Sequence, residues 1–350
     1  MTAGGGRWLF SARLDLAVFL GSALVGLALV PLGPALGVPG AGESPEWTWV
    51  TGILLVDVAH VWSTAFVVYL DPVERARRAA YWLVPLAAWL CGALVYAAAG
   101  AAAFWRALAY LAVFHFVRQQ WGWVALYRAR AGEREGRALD AAAVYAATLY
   151  PLLYWHAHLP RQFAWFLPGD FAALPELVAT IALPVYLAVL GAYAARSLPG
   201  WLRGRPRNPG KDLVVATTAL CWYVGIVASN SDYAFTVTNV FVHGVPYLAL
   251  VFVYVRAQAG AGGLGARIAG AGPIAFLATL WALAYAEELL WDHAVWHERG
   301  WLFGGGGPDL ASWHGLLVPL LAVPQLTHYL LDGFIWRRRG NPKVAAALKL

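Results

Sequence analysis

The sequence contains few charged residues and few cysteines. Lys, Arg, Asp and Glu make up 13% of its 350 residues, about half the share found in soluble globular domains. The two cysteines, Cys91 and Cys221, lie in apolar runs without a partner at a metal-ligand spacing, which excludes a disulfide framework and a zinc knuckle. A phosphate-binding glycine loop, a nucleophile elbow and a CxxCH haem-attachment motif are also absent from the sequence. The common soluble enzyme motifs are therefore excluded.

Apolar and aromatic residues dominate the chain. Hydrophobic residues make up 61% of it, with 19 Trp and 16 Tyr, and these two aromatic types concentrate where lipid acyl chains meet headgroups. We therefore predict an all-α fold, a polytopic transmembrane helical bundle that forms a single integral-membrane domain over residues 1–350. We expect a multi-pass protein of the bacterial inner membrane.

Ten apolar stretches reach the ~20 residues needed to cross ~30 Å of hydrocarbon. They lie at roughly 13–37, 47–70, 80–100, 104–128, 139–157, 174–197, 212–229, 235–256, 271–291 and 312–336. The first is interpreted as a retained helix, because no small-residue cleavage site follows it.

The basic residues predict the topology. With ten spans and both termini in the cytoplasm, 21 of the 25 Lys and Arg fall on the cytoplasmic side and three on the other side, as the positive-inside rule requires. The net charge of +6 then reflects topology, and no nucleic-acid partner is expected. The basic Pro/Gly-rich loop Arg203–Lys211 is interpreted as a topology determinant or, alternatively, as a contact for anionic headgroups.

Four histidines lie inside predicted spans that all run in the same direction. They are His60, His115, His243 and His328, each 9 to 15 residues before the next cytoplasmic arginine. At ~1.5 Å per residue these separations are about 13 to 23 Å. The sequence therefore predicts one layer of imidazoles near the middle of the membrane.

Each of these histidines has polar neighbours at helical spacing. Asp57 and Thr64 flank His60, Arg118 and Gln119 follow His115, Asn239 and Tyr247 flank His243, and Gln325 and Asp332 flank His328. Lipid does not tolerate such stripes, so we expect them to face one interior cavity.

We interpret the four histidines as ligands of a first-row metal, most simply iron in a mono- or dinuclear site, with haem or another first-row metal left open. Asp57 and Asp332 are expected to be ligands or to orient the imidazoles. Arg118 and Gln119 would set local charge and hydrogen bonding, with Arg118 paired to one of these two carboxylates. A proton or substrate pathway and simple helix packing are the alternatives.

A second cluster of acids and histidines lies near the predicted outer side. Its members are Glu287, Glu288, Asp292, His293, His297 and His314. His293 and His297 are four residues apart and would share a face of a continued helix. The cluster is either a second metal site or a solvated helix end. If it lies deeper, Glu287 or Glu288 would complete the histidine layer.

Histidines gathered from several spans resemble those of integral-membrane oxygenases, namely the fatty acid desaturases and hydroxylases and the bacterial Brp/Blh carotene dioxygenases. The resemblance covers the histidine-bearing helices. The only HxxxH is His293 to His297, and HxxHH is absent, so no residue role is transferred. The resemblance implies an iron-dependent oxidoreductase that takes a lipid or isoprenoid from the bilayer and has an electron-transfer partner on the cytoplasmic side. A proton-coupled transporter and a membrane acyltransferase with one histidine base are the alternatives.

Overall fold

A computed structural model describes residues 6–38, 44–258, 262–337 and 341–350. Within these ranges the regular secondary structure is helical, with no strand. Arg338 and Arg339, counted above among the cytoplasmic basic residues, lie outside these ranges. The helices are α1 (Ala12–Leu36), α2 (Glu46–Val67), α3 (Pro72–Arg77), α4 (Ala80–Ala99), α5 (Ala101–Ala131), α6 (Arg137–Ala157), α7 (Glu176–Leu202), α8 (Pro209–Ala228), α9 (Asp232–Arg256), α10 (Leu264–Gly270), α11 (Pro273–Trp296), α12 (Gly300–Phe303), α13 (His314–Leu321), α14 (Val323–Ile335) and α15 (Pro342–Ala347).

Within the described ranges, seven helices are long and apolar enough to cross a membrane: α1, α2, α4, α7, α8, α9 and α11. The all-helical prediction is thereby confirmed. The other three predicted spans are helical but do not reach that combination of length and apolar composition. They are α5 with 31 residues, α6 with 21, and the pair α13 and α14, which divides between Leu321 and Val323. The count of ten and the cytoplasmic termini stay predictions.

The chain forms two compact units. Unit 1 comprises Met1–Gly52, Val113–Pro246 and Leu348–Leu350. In this unit α6 packs along α7, where the rings of Tyr150 and Tyr186 stack with centroids 4.6 Å apart.

Helix α1 lies close to the backbone of α9 in unit 1. At Gly26 there is no room for a Cβ atom, because the carbonyl oxygen of Val237 on α9 already fills that position. Nearer the start of α1, the ring of Phe19 meets that of Trp123 on α5 edge-on at 5.1 Å. The sequence therefore needs glycine where α1 meets α9 and places aromatic rings where α1 meets α5.

Unit 2 comprises Ile53–Ala112 and Tyr247–Ala347. Helix α4 packs along α13 and α14, and α11 packs on α2. The contact between α11 and α2 includes an edge-on pair of Phe66 and Phe276, 4.9 Å between centroids. The indole of Trp281 also donates to the carbonyl of Leu55 at 3.0 Å.

Asp71 lies between α2 and α3 and binds groups of both α3 and α15. Its carboxylate accepts the backbone amides of Val73 and Glu74 at 2.9 and 3.1 Å and pairs with Lys343 of α15 at 2.8 Å. Partial burial raises the pKa of Asp71, but the hydrogen bond from Lys343, the amide of Glu74 and the Lys343 charge outweigh it and hold the pKa below its usual value. One side chain thus caps α3 and anchors α15.

Candidate metal centre

In unit 2, His60 on α2 and His328 on α14 are fully buried and in contact. Their rings meet edge-on with centroids 4.8 Å apart. The Nδ1 atom of His328 lies 2.7 Å from the hydroxyl of Thr64, one turn after His60. On the other side, Asp57 places a carboxylate oxygen 3.5 Å from the Nδ1 atom of His60. Both imidazoles are therefore held from α2.

Tyr247 packs against both of these histidines. Its ring lies edge-on to His60 and His328 at 5.7 and 5.1 Å between centroids. The hydroxyl of Tyr247 donates to Asp332 at 2.7 Å and accepts the indole N–H of Trp336 at 3.2 Å. Asp332 therefore holds the hydroxyl of Tyr247, whose ring lies against both histidines.

Glu287 on α11 is buried beside the two helices that carry these histidines. It accepts the indole N–H of Trp62 and the amide N–H of Gln325, both at 2.6 Å, and more weakly that of Trp291 at 3.4 Å. Trp62 is two residues after His60 and Gln325 three residues before His328. Glu287 therefore bonds to residues near His60 and His328, and its completion of the histidine layer stays a prediction.

In unit 1, His115 on α5 and His243 on α9 form a second buried pair, with ring centroids 5.2 Å apart. The ring of Phe116 stacks on His243 at 3.5 Å and an interplanar angle of 7°. Gln119 donates its side-chain amide to the backbone carbonyl of His243 at 2.8 Å. Gln119 thus forms its hydrogen bond with the backbone of His243.

Wide helical turns precede two of the histidines. Trp49–Val58, which ends two residues before His60, and Thr236–Val240, which ends three residues before His243, are π-helical. Such turns are rare and concentrate at functional sites. They rotate the residues before and after them relative to regular helical spacing.

Among the described residues, one group of three metal-ligating side chains is close enough to share an ion. One ring nitrogen each of His60, His115 and His243 lies within 4.8 Å of the other two, and all three residues are buried. An ion 2.0–2.1 Å from each nitrogen in tetrahedral geometry needs the nitrogens about 3.4 Å apart. Imidazole nitrogen is a usual ligand of first-row metals, so the donor set suits such an ion, and its binding stays a prediction.

Two of the polar residues that neighbour the histidines in the sequence bond to other groups. Arg118 is exposed and donates to the hydroxyl of Tyr145. Its predicted ion pair with Asp57 or Asp332 stays a prediction. Asn239 lies in a wide turn and donates to the carbonyl of Phe235 in its own helix at 3.3 Å.

The residues of the second predicted site make separate structural contacts. Asp292 accepts the backbone amides of Glu298 and Arg299 at 2.9 Å each and closes the loop after α11. Helix α11 ends at Trp296, and His297 is exposed with a left-handed φ of 53°. The helix does not continue through His297, so His293 and His297 do not share a helical face.

The remaining histidines of this cluster bond to backbone carbonyls. His293 faces the carbonyl of Phe303 at 3.1 Å and His314 that of Ala294 at 3.0 Å. Glu288 is half-buried on α11. Within the part of the chain that the structure describes, these six side chains do not form a group of three metal ligands. The two interpretations of this cluster, a second metal site or a solvated helix end, stay predictions.

Three contributors to the site were not singled out by the sequence. Trp62 carries no distinguishing signal in a chain with 19 tryptophans, yet it donates to Glu287. Phe116 reads as an ordinary lipid-facing ring, and Trp336 as an interface anchor. Their positions next to His115 and one turn after Asp332 were the only available signals.

Comparison of the chain with protein-family models, with curated proteins and with solved structures found no match.

Proposed function

We propose that the protein binds a first-row transition metal through His60, His115 and His243 and acts as a membrane-embedded, metal-dependent oxidoreductase. The observation that carries the proposal is the approach of three buried imidazole nitrogens to within 4.8 Å. A set of three histidines leaves a coordination position open, which is the arrangement of catalytic rather than structural metal sites.

The surrounding residues orient the imidazoles. Asp57, 3.5 Å from the Nδ1 atom of His60, would hold that ring with its Nε2 atom toward the ion, as carboxylates do for metal-bound histidines. Gln119 and Phe116 fix the backbone and ring plane of His243. His328 is tied to Thr64 through Nδ1, so in this proposal it supports His60 or supplies a fourth ligand through Nε2.

We propose iron as the metal and a lipid or isoprenoid as the substrate. A redox-active ion bound there would supply one-electron chemistry and a binding position for dioxygen. Phe116 stacks on His243 and Tyr247 lies against His60, and such aromatic surroundings would shield reactive intermediates from water. A substrate dissolved in the bilayer reaches such a site without crossing water.

Metal analysis of the purified full chain tests the proposal. We expect about one equivalent of metal in the wild type and loss of that metal in His60→Ala, His115→Ala and His243→Ala. His158→Ala is the matched control, because His158 bonds only to the carbonyl of its own helix at Tyr154, and it should retain the metal.

Wild-type protein that contains no metal, and that binds none when iron, zinc or copper is added, would contradict the proposal. That result would favour a proton relay in a transporter. Metal-independent activity with a single essential histidine would favour the general-base alternative.

A further inference from the structure

The cavity that opens beside the loop joining α7 to α8 in unit 1 is strongly basic. It measures about 990 Å³ and is lined by six cationic side chains: Arg134, Arg196, Arg203, Arg205, Arg207 and Lys211. Glu133, Glu135 and Asp212 are its acidic residues. The lining therefore carries an excess of three positive charges.

Two of these cations are already neutralised within the protein. Lys211 pairs with Glu133 at 2.6 Å and with the buried Asp140 at 3.1 Å, and Arg196 pairs with Asp140 as well. Arg128, behind the cavity wall, also donates to Asp140. This network fixes the floor of the cavity.

The cations of the loop have no such partners. Within the described ranges no carboxylate forms an ion pair with Arg203, Arg205 or Arg207, and all three are exposed. The first turn of α8, at Asn208 and Lys211, lines the same cavity and adds the positive end of the helix dipole. The free cations and the dipole favour a phosphate group.

An apolar groove continues from this cavity between α7 and α8. It measures about 500 Å³, and the two spaces share Ser197 and Asp212 in their walls. Leu198 and Leu220 line the groove and are 52% and 54% exposed. From Trp201 to Leu190 the groove follows 11 residues of α7, about 17 Å, which is close to the depth of one leaflet's hydrocarbon.

The junction of the two spaces is rigid. Asp212 accepts the hydroxyl of Tyr193 at 2.7 Å and the indole N–H of Trp201 at 2.8 Å. These two hydrogen bonds hold the carboxylate of Asp212 against α7, at the wall that the two spaces share. A ligand can pass this point with its charged end on one side and its apolar end on the other.

From these observations we infer that unit 1 binds one anionic phospholipid, with the phosphate headgroup among Arg203, Arg205 and Arg207 and an acyl chain in the groove between α7 and α8. Basic pockets between membrane helices recognise anionic headgroups in this way. The inference does not depend on the metal proposal, since the histidines play no part in it.

Native mass spectrometry of the full chain in detergent tests the inference with three probes. Phosphatidylglycerol carries both the charge and the chains, phosphatidylcholine carries the chains without net charge, and glycerol phosphate carries the charge alone. We expect one retained phosphatidylglycerol, with at least tenfold weaker retention of the other two. Equal retention of phosphatidylcholine or of glycerol phosphate would overturn the inference.

Variants locate the site. The triple change Arg203→Gln, Arg205→Gln, Arg207→Gln should weaken phosphatidylglycerol binding on the order of 100-fold, because each basic residue contributes about fivefold. Ala216→Trp fills the groove from an exposed position on α8 and should also displace the lipid.

The matched control removes the same charge from the same predicted side of the membrane. Arg13, Arg75 and Arg256 are exposed and lie outside the cavity, so changing all three to Gln should leave binding within twofold. A loss equal to that of the loop variant would show a general charge effect and refute the site. Insensitivity to Ala216→Trp would refute the placement of the acyl chain.

Discussion

Glu287 should stabilise the histidine-bearing helices of unit 2 through its hydrogen bonds. Trp62 and Gln325 donate to different oxygens of this carboxyl group, each at 2.6 Å. Hydrogen bonds within membrane proteins contribute ~0.6 kcal/mol on average and ~1.7 at most, and a short bond to a buried carboxyl group belongs at the upper end. Trp62→Phe keeps the ring but removes the donor, so we expect a loss of about 1 to 2 kcal/mol.

Thermal unfolding in detergent measures this loss. A change of that size lowers the midpoint by about 1 to 3 °C in a chain of this length. Trp281→Phe is the control, because its indole donates at 3.0 Å to the backbone carbonyl of Leu55 from an exposed position and its removal should cost less than ~0.6 kcal/mol.

The decisive comparison repeats Trp62→Phe in a Glu287→Leu background. If the carboxyl group is the partner, the second change should then cost little, because the indole N–H has already lost its acceptor. An unchanged cost in the two backgrounds would refute the reasoning, and so would a loss no larger than that of Trp281→Phe.

Three further predictions address the fold and the candidate site. Gly26→Ala should destabilise the protein by about 2 kcal/mol or more through overlap with backbone, whereas Gly191→Ala, with open space around its Cβ, should change stability by less than ~1 kcal/mol; equal midpoints in thermal unfolding would contradict the described packing. Asp71→Asn keeps the cap of α3 but removes the charge that pairs with Lys343, and it should cost up to ~1 kcal/mol. Because the folded pKa of Asp71 is lowered, this difference should be present above the unfolded pKa of about 3.9 and vanish as the pH falls below it, which unfolding from pH 7 to 3 would show; a difference independent of pH would contradict it. Thr64→Val should weaken metal binding about 3- to 20-fold in chelator competition, as loss of one membrane hydrogen bond implies, and complete loss of metal would contradict the supporting role given to the hydroxyl.

The helices were predictable from the sequence. An apolar run of ~20 residues has to satisfy its backbone polar groups internally, so it forms a helix whatever its partners are. Residue counts predict one common depth for the four histidines, and this depth stays a prediction. The structure brings His60 against His328 and His115 against His243, a pairing that depends on helix packing and is not contained in residue counts.

The directions of the polar neighbours were not predictable from spacing. A wide turn at Thr236–Val240 changes the face on which Asn239 lies, and no sequence pattern marks such turns. Arg118 finds Tyr145 on α6, a contact set by how two helices pack. The partner of His314 is a backbone carbonyl 20 residues earlier. Every residue carries such a carbonyl, so the sequence does not indicate which one a side chain contacts.

Helix α5 is longer than a membrane is thick. Its 31 residues extend about 46 Å, against ~30 Å of hydrocarbon, so as the predicted span it would tilt or project into water at an end. His115 and Arg128 are 13 residues apart on this one unbroken helix, about 20 Å. Arg128 pairs with Asp140, which also pairs with Arg196 and Lys211 of the basic cavity. The ion-pair network of that cavity and the imidazole of His115 therefore belong to one continuous helix, and a tilt of this helix would move both.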